Sequence, residues 1–398
     1  MRALVAGLLV TALAVTVVPL AGASTPEGAA PPKFKIMVFD LSEQPGYDVF
    51  GITAKATAKA IKKAGGPDIE VLVCTTTFDP NSSADCAREA VDEGVTAVVG
   101  VFSTHADQYM PILEDAGIPN VAPYGIGFPE LTSDLSYPIA GGILSGTAGM
   151  GAILADETDV ETIDVSYLDV AGGAGAFAAD LVNFGLEPRG LPKPSSTPEP
   201  VGGADLTPSA QATIGKDTDG VILATVDPEF SKWLLAYRQA GGDAILAATA
   251  STVNPTNLEA LGENLEGMYV SNNYKPGSLK GDPAIKQMKK ELKPVSDEIE
   301  FVDPLIGTWA GVHLVADAMA DATTTDAATL IATLNSDREW DLGVIPPINF
   351  SVPNPEVAAN PLLAGTITRL FNIDVYYSRV KNGKIKALGS EPHNPLLP

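Results

Sequence analysis

Two residue trios stand where a small molecule could be held: Phe102-Ser103-Thr104 and Pro123-Tyr124-Gly125. Each follows a short apolar or β-branched run, 95–99 in one case and 120–122 in the other. The first also opens a stretch, 104–116, with apolar residues at helical spacing. Free backbone N–H groups and the positive dipole end at a helix start form a cradle for a carboxylate or carbonyl. Ser103 and Thr104 sit at that position, although the same hydroxyls also serve as plain N-caps. Glycine at 125 permits close approach of the backbone. Neither trio contains a clustered acid, base or nucleophile, so the chemistry on offer is recognition rather than turnover.

The rest of the chain supplies little that would change this. There are three histidines, His105, His313 and His393, and no GxSxG elbow. His105 faces ligand or solvent, whereas His313 in an apolar helix reads as a packed residue. Trp309 on the same helix is either core or a ligand clamp. AGGAG at 171–175 lacks the spacing of a nucleotide loop. DPNSSAD at 79–85 fails as a calcium loop, because Ala90 stands where a bidentate Glu is required. No metal and no cofactor are expected.

The elements that position the two trios are readable over residues 69–125 as strand, helix, strand, helix, strand (69–74, 84–93, 95–99, 104–116, 120–122). Continuous apolar runs alternating with helical stripes predict a parallel α/β sheet with right-handed crossovers. Such sheets bind ligands at the carboxyl ends of their strands. Upstream, 34–41 is a strand and 49–64 a helix stopped by Gly65-Gly66-Pro67. Near 137–145 the pattern breaks into glycines and a proline, a crossing, before a helix at 146–156. A second α/β set follows: strand 162–168, helix 176–184, a Pro-rich loop through 201, helix 207–215, strand 220–225, helix 228–240 and strand 244–248. Another crossing starts at 268–270. Helices 283–293, 308–322 and 327–335 precede a strand-like tail, 350–388, with a Lys381-Asn382-Gly383-Lys384 turn. Two α/β lobes joined by several crossings fit this order.

At 398 residues the chain is long enough for two domains. It is 45% hydrophobic and 19% charged, a globular composition. A net charge of −24 disfavours nucleic acid and anionic lipid, both of which recruit Lys and Arg. Residues 1–23 carry one positive charge, an apolar run and Ala21-Gly22-Ala23, the pattern of a cleaved secretory signal peptide. An uncleaved anchor is the alternative, because the run is nearly long enough to span a bilayer. No cysteine follows the run to accept a lipid, so the mature chain is expected to begin near Ser24 with a Pro/Ala/Gly linker, 24–33, and to have no stable membrane insertion. Cys74 and Cys86 are the only cysteines. Outside the cytosol such a pair forms a disulfide, here closing the loop between a strand end and a helix start.

In this order, the strings FDPNSSADCAREAVDEGVTAVVGVFSTHAD, PILEDAGIPNVAP, FPELT, DPEFSKWLLAYRQAGGDAIL, NLEGMYV, GTWAGVHLVADAM and VYYSRVKNGKI resemble the type I periplasmic-binding-fold substrate-binding proteins of ABC transporters, in the Leu/Ile/Val-binding-like branch. The resemblance implies two Rossmann-like lobes with parallel sheets joined by a three-crossing hinge, with ligand in the cleft. Lobe one is then 34–138 plus 276–345, and lobe two 139–275 plus 346–398. It also implies that Ser103 and Thr104 grip the ligand's acid group, and that the loop at Tyr124 and Gly125 adds backbone contacts. Tyr124 either stacks on ligand or packs over the cleft wall. Tyr47 either lines the cleft from lobe one or belongs to core or surface. Asp169 and Asp227 follow strands at cleft-facing positions, and Asp227 before Pro228 is equally a helix N-cap.

Lobe two departs from the amino-acid binders. They place an aromatic ring after the lobe's first strand, where this chain has Asp169-Val170-Ala171-Gly172-Gly173-Ala174-Gly175. They place an acid after the strand at 244–248, where this chain has Ala248-Thr249-Ala250-Ser251-Thr252. A buried ammonium without a counter-charge is very costly. Unless Asp227 or Asp169 substitutes, the expected ligand is a neutral or acidic small molecule held by hydroxyls, Thr249 among them, and by backbone. The expected function is an extracytoplasmic solute-binding protein that serves an ABC importer permease, without enzymatic activity. The alternatives are a secreted sensor of the same fold signalling through a partner receptor, and a hydrolase.

Overall fold

The computed structural model describes residues 32–42, 47–77, 79–169, 174–299 and 301–398. Residues 1–23, which the sequence reads as a signal peptide, and 24–31 of the expected linker lie outside them. Among the described residues there are two sheets with helices on both faces. The first joins β1 (Lys33–Leu41), β2 (Asp68–Thr76), β3 (Ala97–Val99), β4 (Asn120–Val121) and β5 (Ser136–Tyr137) in the order β2-β1-β3-β4-β5, every neighbour parallel. The second contains β6 (Ile163–Asp169), β7 (Ser195–Pro200), β8 (Gly220–Ala224), β9 (Ile245–Thr249), β10 (Tyr269–Asn272), β11 (Tyr376–Val380) and β12 (Ile385–Ala387). Its order is β12-β11-β10-β9-β8-β6-β7. β7-β6-β8-β9-β10 thus repeats the parallel arrangement of the first sheet, and β11 and β12 extend it antiparallel.

In both sheets the chain order reverses beside the first strand, between β1 and β3 and between β6 and β8. Crossovers depart to opposite sides there and leave a crevice at the carboxyl ends. The covering helices form for local reasons. The helix Phe50–Lys63 buries Phe50, Ala54, Ala58 and Ile61, a stripe at helical spacing. The helix Pro80–Asp92 starts with Pro at its first turn and with the Asp79 carboxylate accepting the Asn81 N–H. A Cys74–Cys86 disulfide with a Cα–Cα distance of 5.6 Å ties that helix to β2.

The chain passes from β5 to the helix Gly142–Glu157, which packs on the second sheet, and returns beyond β10. The helices Pro283–Glu291 and Asp303–Ala318 then share one core with β1, β3 and the helix Phe50–Lys63. A third passage leads from the Trp340–Ile348 bridge to β11. At the second passage Asn273 is held from three sides. Its N–H donates to Asp303 Oδ2 at 2.6 Å, its Nδ2 to Tyr124 Oη at 3.0 Å, and its Oδ1 accepts from Ser145 Oγ at 2.7 Å. Gly142 has φ +56°, and a Cβ there would lie 1.8 Å from the Tyr124 carbonyl oxygen, so only glycine lets these segments meet.

The α/β class and the two-sheet architecture are as the sequence reads, and the differences are local. β7 falls in the stretch read as a Pro-rich loop. It is an edge strand, where Pro198 and Pro200 need no partner for the N–H groups they lack. Residues 269–272 are strand β10 rather than the start of a crossing, which begins at Asn273. The last long helix starts at Asp303, five residues earlier than read, because Pro304 is tolerated in a first turn.

Candidate ligand-binding site

The carboxyl ends of the two sheets face one another across a cavity of about 290 Å³. From the first sheet it is lined by Leu41, Thr77, Phe102, Ser103, Thr104, His105, Tyr124 and Ile126. The carboxyl ends of β6, β8 and β9 and the residues that follow β8 and β9 contribute Leu168, Leu223, Ala224, Thr225, Val226, Thr249, Ser251 and Thr252. Two helices close the side. Ile143, Thr147 and Met150 lie one turn apart on Gly142–Glu157, and Ala178 and Leu181 lie on Ala174–Leu186.

Aromatic packing sets the lobe-one wall. The Tyr47 and Phe102 rings are 4.8 Å apart, and Phe102 and Tyr124 5.1 Å. Ser103 is buried, with its Oγ 3.1 Å from Ser83 Oγ and accepting the His105 N–H at 3.1 Å. The helix begins at Ala106 behind His105, whose side chain makes no cap hydrogen bond. Thr104 is exposed on the cavity rim. Burial, and then the Asp303 carboxyl, push the Tyr124 phenol well above its ordinary range, so it is a neutral hydroxyl at the cavity edge.

The loop carrying Tyr124 and Ile126 is pinned from beneath by Glu130, which is fully buried. Its Oε2 accepts the Ile126 and Gly127 N–H groups at 2.7 and 3.0 Å, and its Oε1 accepts the Tyr109 hydroxyl. Burial raises this carboxyl to about 7 against the pull of those three donors. The lobe-two hydroxyls are tied to one another. Thr249 Oγ1 lies 2.8 Å from Ser251 Oγ, and Thr252 Oγ1 donates to the Thr225 carbonyl at 3.1 Å.

Of the eight sequence-nominated positions, Ser103, Thr104, Tyr124 and Thr249 line this cavity, and Gly125, Tyr47, Asp169 and Asp227 do not. The Gly125 carbonyl accepts the Ile143 N–H at 3.2 Å, so the close approach its conformation permits is to the adjoining crossing. The buried Tyr47 donates its hydroxyl to the Ser251 carbonyl at 2.6 Å, a bond between the lobes at the cavity's edge. Asp169 is exposed at the end of β6. The Asp227 carboxylate accepts from Ser231 Oγ at 2.7 Å and from Asn257 Nδ2. Trp309 is buried and donates its indole N–H at 2.8 Å to Glu291, which also meets His313 Nε2 at 2.8 Å; neither ring lines the cavity.

The wall residues that sequence reading passed over are mostly apolar. Phe102 was visible in its trio, and Ile143, Thr147 and Met150 recur at i, i+4, i+7 immediately after a crossing. Ile143 and Val226 carry a stronger signal, being large apolar side chains that stay exposed while facing this space. No described lining residue is Asp, Glu, Lys or Arg, and the described residues hold no cluster of metal-ligating side chains.

The sequence profile of the periplasmic binding protein family matches residues 50–367, and the chain belongs to that family. Among solved structures it is similar to a fatty acid ABC transporter substrate-binding protein from Thermomonospora curvata. Identity is 15% over 91% of this chain and 92% of that one, with a TM-score of 0.75. It is also similar to a leucine binding protein from Thermotoga maritima, 18% identical over 89% and 98% of the two chains with a TM-score of 0.71. An ABC transporter solute binding protein from R. palustris, solved with 4-hydroxybenzoate, is 18% identical over 92% and 98% with a TM-score of 0.72. No curated protein matches the sequence. The family and these neighbours are binding proteins.

Proposed function

We propose that this protein is a secreted or periplasmic solute-binding protein, soluble once its signal peptide is removed, that encloses a small organic ligand between its lobes and delivers it to an ABC importer permease. No bond is made or broken in the ligand. The ligand is largely apolar with one polar end, an aliphatic or aromatic acid or a neutral counterpart, and is not an α-amino acid. The observation that carries this reading is the cavity wall: apolar side chains and hydroxyls from both lobes, with no carboxylate among the described lining residues to meet an ammonium. A carboxylate is accommodated at the Ser103-Thr104-His105 turn, where hydroxyls and a helix start face the space. The volume equals that of roughly ten liquid waters, which sets the ligand at the small end of ordinary sites.

A thermal-shift screen of the protein with aliphatic acids, aromatic acids, amides and amino acids tests the proposal. Ligand present at one hundred times its Kd adds about 2.7 kcal/mol to the folded state. The expected result is a shift with one of the acids or neutral compounds that Thr104→Ala reduces. Shifts confined to amino acids would overturn the ligand class, and turnover of a bound ester or amide would overturn the non-enzymatic reading.

A further inference from the structure

A larger cavity, about 550 Å³, lies on the other side of the segment that follows β9. Thr249, Ser251 and Thr252 face the first cavity, and Ala250 and Val253 face this one. The two share no lining residue. Its floor is apolar: Leu258 on the lobe-two side, with Pro276, Phe301 and Ile306 opposite. Both lobes also supply its charge, Lys280 and Lys289 from one and Lys384 and Lys386 from the β11–β12 hairpin of the other.

This charge runs against the molecule as a whole. The chain has 49 acidic residues against 25 Lys and Arg. Four of those cations nevertheless line one groove, and among the described residues none of the four has an ion-pair partner within 4.0 Å. The acidic groups lining it are the exposed Glu259 and the buried Asp303. Asp303 is already engaged by the Asn273 N–H at 2.6 Å, and burial raises its pKa to about 7. Lys289 is half-buried, donates to the Gly277 carbonyl, and stands 5.6 Å from the centre of the Phe301 ring. Burial and then the nearby Lys280 hold its pKa below the ordinary lysine value. Like charges gathered over an apolar floor favour an occupant with the opposite charge and an apolar body.

We propose that this groove is a second binding site, selective for an organic anion whose apolar body packs on Phe301, Ile306 and Leu258 while its carboxylate, sulfonate or phosphate meets Lys280, Lys289, Lys384 and Lys386. Because both lobes supply the wall, an occupant bridges them on the face away from the first cavity.

The test is a fluorescence titration of the full protein with 1-anilinonaphthalene-8-sulfonate, an apolar body carrying one anion. The uncharged N-phenyl-1-naphthylamine serves as its control. The three exposed lysines are replaced together (Lys280→Gln, Lys384→Gln, Lys386→Gln), which leaves folding intact as judged by an unchanged Tm. The expected result is saturable sulfonate binding, weakened at least about fivefold in the triple variant and by 0.5 M NaCl. Ala224→Leu in the first cavity leaves it unchanged, and the neutral control binds this site more weakly than the sulfonate. Sulfonate binding that ignores the lysines, that Ala224→Leu abolishes, or that the neutral compound equals would overturn the proposal, as would no binding at millimolar probe.

Discussion

Replacing Tyr47 by Phe removes one oxygen and leaves the ring where it packs, 5.8 Å from Phe50 and 4.8 Å from Phe102. What is lost is the hydroxyl bond to the Ser251 carbonyl, 2.6 Å long, between the two lobes beside the cavity. That bond exists only while the lobes are together; when they part, water takes both groups. Its net worth is about 0.5–1.5 kcal/mol, which is roughly 2- to 13-fold in the closed-to-open ratio. Where the closed state is the competent minority, apparent affinity falls by the same factor. The expected outcome for Tyr47→Phe is therefore a 2- to 13-fold rise in Kd by calorimetry for a ligand found in the screen. Where the closed state is instead well populated without ligand, the same loss shows as a larger radius of gyration by small-angle scattering; Tm barely changes in either case. Unchanged affinity together with unchanged scattering would refute the idea that this contact latches the cleft.

Other outcomes follow from the same geometry. Glu130→Ala strands the Ile126 and Gly127 N–H groups and the Tyr109 hydroxyl; at about 1–3 kcal/mol per orphaned donor, chemical denaturation should show a loss of several kcal/mol. Glu130, Glu199 and Asp303 are all raised to about 7, chiefly by burial. The folded state therefore binds protons that the unfolded state has released, and their contribution is complete below pH 4 and lost as pH rises through 7. Denaturation midpoints should fall from pH 5 to pH 8, and Asp303→Asn should flatten part of that slope; a rise over this window contradicts the assignment. Ala224→Leu adds three carbons to the wall of the 290 Å³ cavity and should weaken ligand at least tenfold by calorimetry with little change in Tm. Replacing Cys74 and Cys86 by Ser opens a loop with a sequence separation of 12, which chain entropy values at about 3 kcal/mol, measurable by urea unfolding.

The strand ends were legible because a strand buried on both faces leaves a continuous apolar run, and its carboxyl end is where the polar trio begins. That is how Ser103, Thr104, Tyr124 and Thr249 could be named. The side wall was not legible. Ile143, Met150 and Leu181 occupy helix faces that pack toward a sheet, and a helical stripe reads the same whether it meets core or a cavity. β7 escaped because Pro198 and Pro200 signal a loop, a signal that an edge strand overrides. Asp227 shows the limit from the other direction. A carboxylate after a strand was nameable, and Ser231 lies in the first turn of the helix read just after it, but Asn257, which also takes up that carboxylate, lies on a later helix that no local pattern connects to it.

The most direct measurement compares leucine with 4-methylpentanoate, the same carbon skeleton and carboxylate without the ammonium, by isothermal titration calorimetry on the protein. A cavity with hydroxyls, apolar walls and no described counter-charge should bind the deaminated acid at least tenfold more tightly. Leucine binding as tightly as 4-methylpentanoate, or more so, would contradict the account.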